Sequence, residues 1–283
     1  MQKNSLIIKT MTRQDVNIAI DWAVEEEWNP GFHDADCFYA ADPNGFLIGL
    51  LDNEPVATIS SVRYGKSFGF VGLYIVKPKY RGKGYGIQIW KAGLEILGNR
   101  IIGLDGVIGQ QDNYRKSGFI FAHNNARYQG TGGEYYPFNS NIVPLSTLTF
   151  DDICTYDQPF FPDKRREFLR CWINQSQSVA LGILSNNKLA GYGVMRLCHN
   201  GYKIGPLFAD SPEYAEHLFL SLRSHASKGS SVFLDIPAPN EAALDLVKRH
   251  NMTISFETAR MYKGQNPNLP INRLFGVTTF ELG

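Results

Sequence analysis

The chain has 283 residues, 43% hydrophobic and 19% charged, with a formal net charge of +1 at pH 7. That is enough apolar material for one large domain or two ordinary ones, and the near-neutral balance argues against a surface built for nucleic acid or an anionic membrane. No apolar run approaches the roughly 20 residues of a bilayer span, residues 1–9 lack the apolar core of a signal peptide, and Cys37, Cys154, Cys171 and Cys198 have no metal-ligand spacing, which together predict a cytoplasmic protein with reduced thiols and no metal.

Residues 6–9 predict a first strand. Thr12, with Asp15 three residues on, predicts a helix start, and Val16, Ile20, Ala23 and Val24 give that helix an apolar face. Asn29-Pro30-Gly31 must break it, and a second short helix is expected from near Asp34. Residues 46–51 and 56–63 read as strands around a turn at 52–54, and a further strand runs to Val76. Then comes Arg81-Gly82-Lys83-Gly84-Tyr85-Gly86, followed by a helix over 87–97 and a strand over 101–105. A glycine-rich turn from strand to helix leaves backbone N–H groups pointing outward at the positive end of the helix dipole, which makes an anion site. Glycine lets a phosphate approach closely and permits positive φ. The loop lacks the Gly-Lys-Ser/Thr ending of a P-loop and the spacing of a dinucleotide fingerprint.

Ala126 and Arg127 match Ala259 and Arg260 at an offset of 133 residues, and the residues ending at Asp105 match those ending at Asp235. Strands are expected at 179–184, 189–197 and 202–208, with a turn at 185–188, and the tail over 273–282 is apolar enough to pack as a strand. A repeat this long predicts two tandem α/β domains with mixed sheets, 1–138 and 139–283. In the second copy the glycine loop is replaced by Ala209-Asp210-Ser211-Pro212-Glu213. Asp210 and Glu213 would repel a pyrophosphate, and Ser211-Pro212 is a good helix start, so anion binding is expected in the first half alone. Asp235 and Asn240 mark the place where the second half could hold a ligand of its own.

The pattern Arg81-x-x-Gly84-x-Gly86 resembles the pyrophosphate loop of the GNAT superfamily of N-acetyltransferases, and Tyr114-Arg115-Lys116-Ser117-Gly118-Phe119 resembles the signature that closes that family's cofactor site. The resemblance covers about residues 5–130, and the whole arrangement is similar to tandem acetyltransferases whose second half is a degenerate copy. It implies acetyl-CoA as co-substrate and transfer of the acetyl group to the amine of a small molecule, with no nucleic-acid or membrane partner and the oligomeric state open. Arg81, Gly82, Lys83, Gly84, Tyr85 and Gly86 would hold the pyrophosphate, and the backbone of Tyr74, Ile75 and Val76 the pantetheine arm and thioester. Tyr114 would be the acid for the leaving thiolate. The family often carries Asn seven residues and Ala four residues before this tyrosine; Val107 and Gln110 stand there instead, so Gln110, Gln111 and Asn113 are candidates for those contacts.

No single residue reads as the general base; Asp105, Glu26 or Glu27, and His33 or Asp34 are the candidates. Trp28, Asn29 and Phe32 would line the acceptor wall. Two alternatives remain at this level: another acyl-CoA as donor, because the loop reads pyrophosphate and not the acyl tail, or a non-catalytic acyl-CoA sensor.

Overall fold

The computed structural model describes residues 5–283; residues 1–4, which belong to the stretch expected to lack a signal peptide, lie outside the described residues. Strand alternation and turn chemistry place β1 (Ile7–Thr10), α1 (Val16–Glu25), α2 (Asp34–Ala41), β2 (Phe46–Leu51), β3 (Glu54–Tyr64), β4 (Phe68–Val76), α3 (Tyr85–Leu97) and β5 (Ile101–Val107) near their predicted positions, and the first half adds α4 (Gln111–Arg115) and β6 (Ile120–Thr131), for which no range was expected. The first helix starts later than Thr12 suggests. Asp15 stands at the N-cap, with its amide donating to the Thr12 hydroxyl (3.2 Å) and its carboxylate accepting from the Thr12 amide (2.9 Å), a reciprocal arrangement that closes the turn before the helix.

The second half supplies β7 (Ile142–Pro144), α5 (Phe150–Asp157), α6 (Arg166–Trp172), β8 (Ser178–Ser185), β9 (Lys188–Leu197), β10 (Tyr202–Ala209), α7 (Pro212–Ser224), β11 (Ser231–Pro237), α8 (Glu241–Arg249), β12 (Thr253–Lys263) and β13 (Leu274–Gly276). All the strands join one sheet in the order β1-β2-β3-β4-β5-β12-β6-β11-β10-β9-β8-β7, with β13 attached to β10. The halves therefore exchange strands. β12 pairs with β5 of the first half, Thr258 opposite Val107 to Lys263 opposite Ile102. β6 pairs with β11 of the second, Ser231 opposite Thr131 to Pro237 opposite Asn125.

Each exchanged strand carries an arginine to an aspartate of the other repeat. Arg127 on β6 grips Asp235 through Nε (2.7 Å) and Nη2 (2.8 Å), and Arg260 on β12 grips Asp105 through Nε (2.9 Å) and Nη2 (2.6 Å). Burial opposes the charge on Asp235, but the Arg127 guanidinium outweighs it and holds the carboxyl below its usual range. A third pair, Arg196 with Asp34 (2.8 Å), again joins the halves. α2 packs on α6, where Cys37 and Cys171 form a disulfide; the expectation of four reduced thiols is corrected for this pair, while Cys154 and Cys198 are free.

Only residues 274–276 of the tail form a strand, shorter than the 273–282 expected. Val277, Phe280 and Leu282 continue as buried irregular chain, and the Tyr64 hydroxyl donates to the Leu282 carbonyl (3.1 Å). Two glycines at the repeat offset, Gly72 and Gly205, make room for it. A Cβ on Gly205 would lie 2.5 Å from the Thr278 carbonyl oxygen, and one on Gly72 would overlap that of Glu281. The tail thus crosses from the second half to the first over equivalent points of the repeat.

Candidate active site

β4 and β5 run parallel only from Phe68 opposite Ile101 to Val71 opposite Leu104. Beyond that they part. β5 continues its ladder with β12 on its far side through Asp105, Gly106 and Val107, while β4 keeps β3 on its far side, with Thr58 opposite Ile75 and Ala57 opposite Val76. Among the described residues the facing edges have no partner strand. The break coincides with Leu73, whose φ of +43° is in the left-handed region and whose carbonyl accepts a hydrogen bond from the Thr58 hydroxyl (2.9 Å). A non-glycine residue held there stores about 1–3 kcal/mol of strain, which the ladder to β3 maintains.

The wedge opens into a cavity of about 550 Å³. Its wall takes in residues 71–76 of β4, the loop residues Arg81, Gly82, Gly84 and Gly86, and Trp90, Asp105, Gln110 and Tyr114. Gly82 and Gly84 have φ of +74° and +86°, and a Cβ at either would meet nothing within 4 Å, so their hydrogens face open space. α3 starts at Gly84 with no side-chain cap and no acidic residue in its first turn. Its first amides are therefore available to an anion. The corresponding start of α7 is closed: the Ser211 hydroxyl accepts from the Tyr214 amide (3.2 Å) and Glu213 sits in the first turn.

The second-half wedge is also filled. β10 and β11 run parallel from Tyr202 opposite Val232 to Ile204 opposite Leu234. Then β13 pairs with β10 at Leu207 and Phe208, the Val277 amide donates to the Asp235 carbonyl (2.8 Å), and the Asn240 side chain donates to the Leu274 carbonyl (2.9 Å). The chain's own tail lies where β4 and β5 leave a gap. Asp235 and Asn240, the place suggested for a second ligand, are engaged by Arg127 and by this contact. Asp210 is paired with Arg273 and accepts from Tyr156, so its charge is already matched within the second half.

Tyr114 packs at a tilt against Trp90, ring centroids 5.5 Å apart, and Gly106 leaves room for its ring. Burial, with a smaller push from Tyr74, drives its phenol up to about 12. Sequence alone matched phenol to thiol almost evenly; a phenol raised by burial is a weaker acid and gives up its proton to a thiolate less readily than that match implied.

The other predicted residues divide between the cavity wall and positions away from it. Arg81 donates through Nε to the Val76 carbonyl (2.8 Å) and pairs with Glu26. Lys83 lies 5.5 Å over the Tyr80 ring and Tyr85 packs on the same tyrosine, both off the cavity wall. Gln111 accepts from Arg115 and Asn113 donates to Gln110, which itself lines the cavity. Asp105 reaches the wall, but Arg260 takes both its oxygens and Asn125 donates to one of them, leaving little for a substrate. His33 meets Gln177 (3.1 Å), Asn29 bonds with Asn200 (2.9 Å), Phe32 packs on His199 (4.4 Å) and Glu27 is exposed. The first three join the halves outside the cavity. Trp28 lines it, together with residues from beyond the repeat junction that sequence reasoning missed: Phe256, Thr258, Phe280 and Glu281. These come from the exchanged strand and the tail, and no local motif marks them.

Residues 14–119 match the acetyltransferase (GNAT) family, and residues 153–276 match a second acetyltransferase (GNAT) domain family. The chain is 27% identical to the holothin acyltransferase of Pseudoalteromonas sp. (strain SANK 73390), over 97% of this chain and 94% of that one. Among solved structures it resembles a candidate acetyltransferase from Pyrococcus horikoshii, with TM-score 0.84, 22% identity and 100% and 98% of the two chains covered. It also resembles a tandem GNAT protein from the clavulanic acid biosynthesis pathway, with TM-score 0.64, 11% identity and 93% and 100% covered.

Proposed function

The chain belongs to the GNAT superfamily of N-acetyltransferases, with two such domains in tandem and the activity of an acyl-CoA-dependent N-acyltransferase, and on that premise we propose that it moves an acetyl group from acetyl-CoA to the primary amine of a small molecule, directly and in the first half alone. The observation that carries this reading is one continuous cavity joining an uncapped glycine-rich helix start to a wedge of unpaired strand edge. The pyrophosphate would lie on the amides at the start of α3, beside Lys83 and Arg81. The pantetheine arm would take the place of a neighbouring strand along residues 72–76. A backbone N–H of that edge aimed at the thioester oxygen is worth about 3 kcal/mol of barrier, by comparison with oxyanion holes. Trp28, Phe256 and Phe280 give the acceptor an apolar, aromatic surround. Similarity along nearly the whole chain to a relative named for acylating holothin makes holothin the first acceptor to assay.

Calorimetry with acetyl-CoA is expected to show one site per chain, unchanged in Asp210→Ala; two sites would contradict the filled second wedge. A thiol-release assay with holothin and a panel of primary amines tests transfer, and tight binding with no acceptor-dependent release would favour a sensor. Repeating it with longer acyl-CoAs tests the acetyl assignment. Tyr114→Phe is expected to lower kcat about 10- to 100-fold, the worth of one hydrogen bond to a charged sulfur, with acetyl-CoA affinity nearly unchanged. A loss of affinity alone would assign Tyr114 to packing.

A further inference from the structure

Resting on that reading, we propose that Glu281, carried into the cavity by the tail of the degenerate half, accepts the proton that the acceptor amine loses as it is acylated. Its place follows from the crossing of the tail. The Glu281 carbonyl lies on Gly72, the residue before the strained Leu73, where β4 turns away from β5. The glycine loop begins beyond Val76, four residues or about 13 Å along the strand. Glu281 therefore stands at the end of the wedge away from the anion loop, where the acyl end of a donor threaded along β4 arrives.

Its chemistry sets it apart from the other acidic residues of the wall. Glu26 is engaged by Arg81 and Asp105 by Arg260. Glu281 is 3% exposed yet lines the cavity. The Thr279 hydroxyl donates to Oε2, and Oε1 has no hydrogen-bond partner among the described residues. The charged groups facing it are Arg127, Arg196 and Lys203, from β6, β9 and β10. Asp235 and Asp34 take the two arginines, Lys203 donates to the Trp28 carbonyl (3.4 Å), and the buried Cys198 thiol adds no charge, its ionisation disfavoured first by burial. Glu281 is thus the acidic group beside these cations that no arginine or lysine side chain has taken as its partner.

The step balances as follows. An acceptor that arrives as ammonium first gives one proton to solvent water; the neutral nitrogen then bonds to the thioester carbon, the carbon–sulfur bond breaks, and the proton the nitrogen sheds as the amide forms passes to Oε1 of Glu281. Sulfur leaves as thiolate under the Tyr114 hydrogen bond. Water then takes the proton from Glu281 and supplies one to the thiolate, leaving amide and free thiol.

Two ring-bearing acceptors separate this role from a structural one: benzylamine, cationic at pH 7, and phenylhydrazine, neutral there and more acidic once acylated. In Glu281→Gln, acetyl-CoA calorimetry should match the wild type, benzylamine turnover should fall by about 10²–10⁴, the usual worth of a general base, and phenylhydrazine turnover should fall far less. Benzylamine turnover near the wild-type rate, equal loss with both acceptors, or loss of acetyl-CoA binding would each overturn the assignment. Should Glu281→Gln fail to fold, Glu281→Asp gives the same comparison with the charge kept and the carboxylate drawn back. No thiol release by the wild type with any amine would instead remove the acyltransferase reading and this role with it, a result distinct from turnover that survives the substitution.

Discussion

Gly84→Val is expected to weaken acetyl-CoA binding by two to four decades in calorimetry. Gly84 has φ of +86° and caps α3 without a side chain. Valine is β-branched and disfavours that conformation by about 1–3 kcal/mol, so the turn either strains or rotates its amides off the anion. Its side chain would also project into the space where a Cβ now meets nothing, which is the approach path of a phosphate. Losing two hydrogen bonds to a charged group, each worth about 1.5–3 kcal/mol, removes about 3–6 kcal/mol, and each 1.4 kcal/mol is a decade in affinity. Retained affinity would mean that the diphosphate is held elsewhere.

What was legible in the sequence is what local chemistry encodes. Gly82, Gly84 and Gly86 between a strand and an amphipathic helix give the turn and its exposed amides without any knowledge of neighbours. Apolar alternation gives β2 to β5 and β8 to β10 within a few residues. The matched Arg127 and Arg260, and the matched Asp105 and Asp235, give the repeat. Which arginine meets which aspartate is not local. Pairing within each half and pairing across the halves use the same residues, and only the exchange of β6 and β12 decides between them. The same limit hid the disulfide: Cys37 and Cys171 are 134 residues apart, one more than the repeat offset, a hint of equivalent positions meeting across the repeat axis. Glu281 had no motif at all. Its role depends on the absence of a side chain at Gly72, more than 200 residues earlier.

Asp235→Ala is expected to destabilise the fold by about 3–5 kcal/mol in chemical denaturation, the usual cost of stranding one partner of a buried ion pair. Asp235 and Arg127 are 2% and 3% exposed at the side chain. The guanidinium keeps one other acceptor, the Trp28 carbonyl at 2.7 Å through Nη1, which softens the loss without neutralising the charge. Lys203 is already held below the usual lysine range, first by burial and then by Arg127, and removing Asp235 withdraws an anion that supports both. Replacing the pair together, as Arg127→Met with Asp235→Leu, should restore most of the stability, because apolar contact avoids the desolvation of both ions. The double variant should still lose turnover: Arg127 lies on the cavity wall with its guanidinium carbon 5.2 Å from the Phe280 ring and 5.8 Å from Phe256. Stability without activity would show that the exchanged strand carries this arginine across for the geometry of the acceptor end. Full activity in the double variant would reduce the pair to a fastening between halves.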